Sequence, residues 1–337
     1  MKHSSVLPIG LLAAIFSAPL GNAQRYTITN LGALPSHGSS AASGINASGQ
    51  VVGVSGISEC RPGGRCGRAF LWIPEPAYGL PAGMNDLGID VLSVAAINSS
   101  GSIVGSMGSP PTGFLWTEGV IRPLLPPDGG QAWANDINDS GSVVGTYTGD
   151  PDWTLPFLFS GDQFYRLEVS LGWGDAEALG INEGGVVVGS ICTQWGCDYR
   201  GTSKAVYWIG GGIGFLDSLD HTNARAFGIN DLLTAVGSVG SYPTYSAAVR
   251  WTGLGAPQSL GGRVGYARAI NNLGQVAAGA FLWEEGGEII DLHGLIPPDS
   301  GWSLLSASAI NDAGQIVGDG VIDGQTRAFL LTPVILP

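Results

Sequence analysis

Seven copies of one short phrase run through this chain, and they restrict it to a repeat architecture. The phrase reads small-x-small-Ile-Asn-x-x-Gly-x-Val-Val-Gly, and its Asn falls at 46, 98, 138, 182, 230, 271 and 311. Ile precedes every one of these Asn residues. The spacing of about 40 to 52 residues is that of propeller blades. The phrase itself predicts a β-hairpin. Asn opens a type I turn and can bond its own backbone two residues on, and Gly three residues later accepts the left-handed geometry of the closing bulge. Gly49, Gly101, Gly141, Gly185, Gly274 and Gly314 hold that place, whereas the fifth repeat carries Leu233. Small residues ahead of the turn, such as Ala42 and Gly44 or Ala307 and Ala309, suit an inner strand crowded toward an axis.

A third strand follows each hairpin, as in 68–72 (Arg-Ala-Phe-Leu-Trp), 113–116 (Gly-Phe-Leu-Trp) and 327–331 (Arg-Ala-Phe-Leu-Leu). Runs apolar on both faces fit strands buried between neighbouring blades. A weaker fourth strand is expected at 215–217 and 289–292. The chain stops after a third strand, and residues 26–31 read as a fourth-type strand with no blade ahead of it. The expected fold is therefore all-β, a seven-bladed β-propeller in which the N-terminal strand closes the last blade, removing the sheet edges an open array would expose. Residues 276–281 run from the second strand almost directly into the third, which predicts a short sixth blade. Residues 84–88 echo the turn phrase 13 residues before Asn98 and are expected to form a loop.

Composition agrees. Gly is 55 of 337 residues and charged residues are 12%, against about 25% charged in typical globular domains. No 3.6-residue apolar stripe follows residue 23. Residues 1–23 read as a secretory signal, with Lys2 ahead of the apolar stretch Val6 to Leu20 and small residues at 21 and 23 before a cut at Gln24. Residues 24–337 then form a single domain, secreted to the periplasm or the extracellular space. No later stretch reaches the ~20 apolar residues of a membrane span. The formal charge is −13, and the cut removes one positive charge more, leaving Lys204 as the only lysine. That weighs against nucleic acid and anionic lipid as partners.

The phrase followed by x-Ala-Phe-Leu-Trp resembles the bacterial extracellular HAF repeat, most closely over residues 302–333, with Arg68 and Arg327 where the name-giving His would stand. The resemblance covers nearly all of residues 24–337. It implies a secreted repeat protein of undefined activity and carries over no catalytic residues.

No serine-hydrolase elbow, zinc-protease or phosphate-loop motif is present. Three His residues remain after the cut, with no local His/Cys cluster of the kind zinc needs. No metal and no cofactor are expected, and the Asn-Asp pairs at 138, 230 and 311 read as turn chemistry. Three turn Asn residues, 46, 98 and 138, match glycosylation sequons, but each already has a turn role. Cys60 and Cys66 lie in one loop, Cys192 and Cys197 in another, both between second and third strands. Repeats one and four would face each other across a ring, so two local disulfides are the expected pairing, in keeping with an oxidising compartment.

Three functions compete, one of them a purely structural surface repeat with no small-molecule site. A binding or scaffold module would take a glycan, a polymer or a protein, as a monomer. A glycan hydrolase or lyase would need paired carboxylates at set distances, for which Asp175, Glu177, Asp220 and Asp299 are the nearest to the expected funnel mouth. Trp72, Trp116, Trp208, Trp251 and Trp283 fall on third strands and are expected in the core. Trp133 adjoins a first strand and suits a gap between blades. Nine residues before the turn Asn the register gives His37, Trp173, His221 and Trp302. With Trp195, Asp175 and Asp299 they form the expected binding face, where aromatic rings could stack on sugars or anchor a peptide.

Overall fold

A computed structural model describes residues 25–56, 67–149, 153–169, 174–192, 202–241, 247–261, 265–287 and 289–334. Among the described residues the regular elements are strands and two 3₁₀ turns, and no helix is long and apolar enough to cross a membrane. Each copy of the phrase builds one antiparallel hairpin. In the third repeat, strand Ala132–Ile137 pairs with Val143–Thr148, which pairs with Thr154–Ser160, which pairs with Gln163–Arg166. The turn has the expected geometry: Asn46 N–H bonds the Gln50 carbonyl and Gly49 N–H bonds the Asn46 carbonyl, with Gly49 at φ +73°. Leu233 adopts the same left-handed conformation, φ +58°, and donates to the Asn230 carbonyl. The fold thus imposes the turn where the residue disfavours it.

The Val-Val pair explains how neighbouring units pack. Successive strand residues point to opposite faces. Val51 sits in a cluster with Val317 and Leu330 of the last repeat, while Val52 sits in another with Val94 and Ile97 of the second. Val143 and Val144 split likewise between two clusters, the second shared with Val187 of the fourth repeat. Both faces are buried, so no polar residue alternates with them. Of the five third-strand tryptophans, Trp116, Trp208, Trp251 and Trp283 are buried. Trp72 is half-buried against the same core. Trp208 and Trp251 donate their indole N–H, each at 2.7 Å, to the carbonyls of Glu168 and Asp217 in the preceding unit.

The Gly that ends the phrase is required by a close approach. First strands carry a bulge three to four residues before the turn Asn, which re-aims the strand and disrupts the ladder locally. A Cβ on Gly145 would lie 2.0 Å from the Trp133 carbonyl oxygen and 2.7 Å from the Phe157 ring; on Gly189 it would lie 1.8 Å from the Glu177 carbonyl oxygen. The sixth repeat has Ala278 at this position. Its first strand is only Ala269–Ile270, and Ala267 N–H bonds the Gly237 carbonyl of the fifth repeat, as Ala307 N–H bonds the Gly279 carbonyl of the sixth. All four strands of this unit are present but only two or three residues long.

Two expectations about connections fare differently. Strand Tyr26–Gly32 does lie antiparallel on Gln325–Pro333, with Tyr26 opposite Pro333 and Ile28 opposite Leu331. Residues 84–88, expected as a loop, are instead strand. They open the long strand Gly83–Ile97, whose first half pairs with Gly67–Ile73 and whose second half pairs with Ile103–Met107. One strand is the last of the first unit and the first of the second, and Asn85 is buried, donating to the carbonyls of Pro81 and Gly83.

The turn Asn side chains link the units. Each is buried, and each Nδ2 donates to the main-chain carbonyl of the next: Asn46 to Asn98, then Asn138, Asn182, Asn230, Asn271, Asn311, and from Asn311 back to Asn46, at 3.0–3.1 Å. Their Oδ1 atoms accept backbone N–H groups of their own turns, as Asn182 does from Val186 at 2.8 Å. Buried and doubly engaged, the sequon residues Asn46, Asn98 and Asn138 are in no position to carry glycans. The next residue makes a second, open series on the surface: Asp139 accepts from Ser99 N–H, Glu183 from Asp139 N–H and Asp231 from Glu183 N–H. Partial burial pushes the Glu183 carboxyl up, and the charges of Asp139 and Asp231 push the same way.

Candidate binding channel

The first strands contact one another in chain order, and the last, Ser303–Ile310, contacts the first, Ser40–Ile45. Between them lies a cavity of about 440 Å³ lined from all seven repeats, by Ser43, Ala95, Asn135, Leu179, Phe227, Arg268 and Ala309 among others. Exposure alternates along these strands. The residue four before the turn Asn is buried Ala or Val in each repeat, whereas those three and five before are half-exposed or exposed; the residues three before in the first six repeats, and Ser93, line the cavity.

The wall so formed is chemically lopsided. Three residues before Asn, the third to sixth repeats carry Asn135, Leu179, Phe227 and Arg268; five before, they carry Trp133, Glu177, Arg225 and Tyr266. The seventh, first and second repeats carry only Ser or Ala at both positions: Ser306, Ser308, Ala41, Ser43, Ser93 and Ala95. One side is bulky, aromatic and charged; the other is small and hydroxylic, and leaves the space open.

The bulky side is internally bonded. Glu177 pairs with Arg225 across one repeat boundary and also accepts from Ser190 Oγ at 3.2 Å. The Arg225 guanidinium lies 5.5 Å from the Phe227 ring centroid, and its buried Nε has no hydrogen-bond partner. Phe227 and Tyr266 meet edge to face at 6.0 Å, and the Arg268 guanidinium lies 5.6 Å from the Tyr266 ring. Asn135 Nδ2 donates to the Ala178 carbonyl at 2.8 Å. Asp136 stands where the other repeats have Gly or Ala. Its two oxygens accept from Ile137 N–H and, in the next repeat, Ile181 N–H, both at 2.9 Å. It is walled in by protein although its edge reaches the channel. Loss of solvation outweighs both N–H groups and pushes its carboxyl up to about 7.

The residues expected to bind lie elsewhere, at the starts of first strands. His37 lines a separate cavity of about 720 Å³ with Arg68, Asp86 and Asp90, its Nδ1 buried without a partner. Arg68 is held there by Asp86 and Asp90 at 2.8 and 3.2 Å, and its hydrogen bond holds the Asp86 carboxyl below the usual range against partial burial. Asp175 accepts from Thr154 N–H at 2.7 Å, so it ties the fourth unit to the third. His221 Nδ1 lies 3.4 Å from Ser241 Oγ. Asp299 is exposed in a turn. Trp302 is half-buried, edge-on to Phe329 at 6.1 Å. Trp173 and Trp195 lie outside the described residues, as do residues 1–24, Cys60, Cys66 and Cys197. Cys192 ends a buried strand and is disulfide-bonded, to a partner outside the described residues. No group of three or more metal-ligating side chains occurs among the described residues.

The channel wall was not singled out from the sequence, yet a signal exists there. Aligned on the turn Asn, the positions three and five before it switch from small to large in four consecutive repeats.

No family model matches the sequence, and no curated protein matches it. Solved structures do. The β-propeller domain of the trilobed protease from Pyrococcus furiosus, described as having an open velcro topology, superposes with a TM-score of 0.55 at 11% identity, over 87% of this chain and 95% of that one. TolB from Acinetobacter baumannii gives 0.47 at 10% identity, over 84% of this chain and 63% of TolB. The first likeness establishes a fold of β-propeller type. At such identity it says nothing of activity.

Proposed function

We propose that this chain is a secreted, seven-bladed β-propeller of the HAF-repeat kind that binds a ligand in its axial channel without transforming it. The blade count is supported by the Asn-to-Asn hydrogen bonds, which return from Asn311 to Asn46 after seven steps. Secretion is supported by the signal-like residues 1–23 and by the bonded state of Cys192, for which Cys197 is the proposed partner; Cys60 and Cys66 form the second proposed link. The observation that carries the binding reading is the lopsided wall: aromatic and guanidinium groups face a bare Ser/Ala surface across about 440 Å³, within the range of small-ligand pockets, roughly 300–1,000 Å³.

Binding is favoured over hydrolysis because the carboxylates within reach are committed. Glu177 is paired with Arg225, and both Asp136 oxygens hold backbone N–H groups. A glycosidase needs one carboxylic acid and one carboxylate free to face a sugar bond. A glycan array and a hydrolysis screen on the secreted protein test the reading. Retention of a ligand without turnover, lost in Phe227→Ala, is the expected result; turnover would replace binding with catalysis.

A further inference from the structure

We propose that the axial channel takes a saccharide bearing a carboxylate, a uronic-acid residue, with Arg268 as the group that receives the carboxylate. The proposal rests on the binding reading above and names its ligand class. Arg268 faces the channel and is exposed. It forms no ion pair among the described residues, in contrast to Arg25, Arg68, Arg122 and Arg225, each of which is paired with a carboxylate. Its guanidinium instead rests near the Tyr266 ring.

The rest of the wall fits a sugar better than another small anion. The Phe227–Tyr266 pair offers apolar surface for the C–H face of a pyranose, and the rings sit beside the guanidinium. Across the channel, Ser43 and Ser93 line the cavity; Ser43 already donates its hydroxyl proton to Val52 O, so its oxygen is left to accept from a sugar hydroxyl. An inorganic anion would leave the aromatic pair and the serines unused. The chain as a whole is acidic, −13, so its long-range field repels such a ligand. The attraction is local and charge-assisted.

The test uses the secreted protein and a panel of trisaccharides of galacturonate, glucuronate and mannuronate, each beside its carboxyl-reduced neutral counterpart, by titration calorimetry. At least one acid should bind ten-fold or more tighter than its counterpart. Arg268→Gln should bring that acid down to the neutral level, and Arg268→Lys should restore part of the difference. Because Arg268 is exposed, both variants should melt within about 2 °C of wild type. Equal affinity for acid and neutral sugar, or an Arg268→Gln variant with undiminished acid binding, overturns the proposal. If Phe227→Ala still abolishes binding in that case, the channel stands as the site and only the carboxylate is wrong. Absence of binding by every member of the panel overturns it as well, and a blank glycan array would then remove the binding reading too.

Discussion

Asn182→Ala is the sharpest test of how the units are held together. The Asn182 side chain is 5% exposed. Its Nδ2 donates to the Asn230 carbonyl at 3.1 Å, and its Oδ1 accepts from Val186 N–H at 2.8 Å. Truncation leaves the two partners in different positions. The Asn230 carbonyl keeps the N–H of Leu233, so it loses one bond of two, worth about 1 kcal/mol net. Val186 N–H has no other acceptor among the described residues, and a buried donor left bare costs about 1–3 kcal/mol. The sum is about 2–4 kcal/mol, or about 4–8 °C in melting temperature at roughly 2 °C per kcal/mol for a chain of this size. Equilibrium urea unfolding followed by circular dichroism measures it. Asn182→Asp separates the donor from the acceptor. It keeps Oδ1 but turns a second oxygen toward the Asn230 carbonyl, and only the protonated acid can donate there. The folded-state pKa of that carboxyl is therefore above its unfolded value, so its deficit relative to wild type is smallest near pH 4 and grows as pH rises through the folded pKa. An Asn182→Ala variant within about 0.5 kcal/mol of wild type would refute the reasoning, as would an Asn182→Asp deficit that does not change with pH.

Other substitutions probe other parts of the argument. Gly145→Ala places a Cβ 2.0 Å from the Trp133 carbonyl oxygen and should cost about 3 kcal/mol or more in unfolding free energy; a neutral result would mean the first-strand bulge is not fixed. Asp136 has a folded pKa of about 7, above the unfolded value of about 3.9, so the folded state binds more protons between these values and stability falls as pH rises through that window. Asp136→Asn should flatten the profile from pH 4 to 7, and an unchanged slope would assign it to other groups. Removing residues 25–32 bares the Gln325–Pro333 edge and the core beneath Tyr26, which is 2% exposed. Light scattering should show aggregation, and a monodisperse, equally stable deletion would show that this strand is dispensable.

The parts of this fold that were legible in the sequence are those governed by local chemistry. Asn and Gly at fixed offsets specify their own turn, Val-Val implies burial on both faces, and Tyr26–Gly32 could be recognised as a strand because its residues follow the pattern of the fourth strands. Residues 84–88 were misread because their Asn and Gly imitate the turn phrase, while pairing with Gly67–Ile73 lies outside local sequence. The expected rim residues came from register alone, and register does not say that Asp175 would be taken up by Thr154 or that Trp302 would lie against Phe329. The channel needed the assembled molecule. Alternation along a strand tells which side chains leave the core, but the aromatic and guanidinium side faces the Ser/Ala side only because the units come round an axis. The same holds for the Asn residues: the sequence assigns each Oδ1 to its own turn, whereas the acceptor of each Nδ2 lies 40 or more residues away and exists only once the next unit has folded against it. Local propensity acts over a few residues, so it determined the hairpins; which groups meet across repeats was decided by tertiary packing.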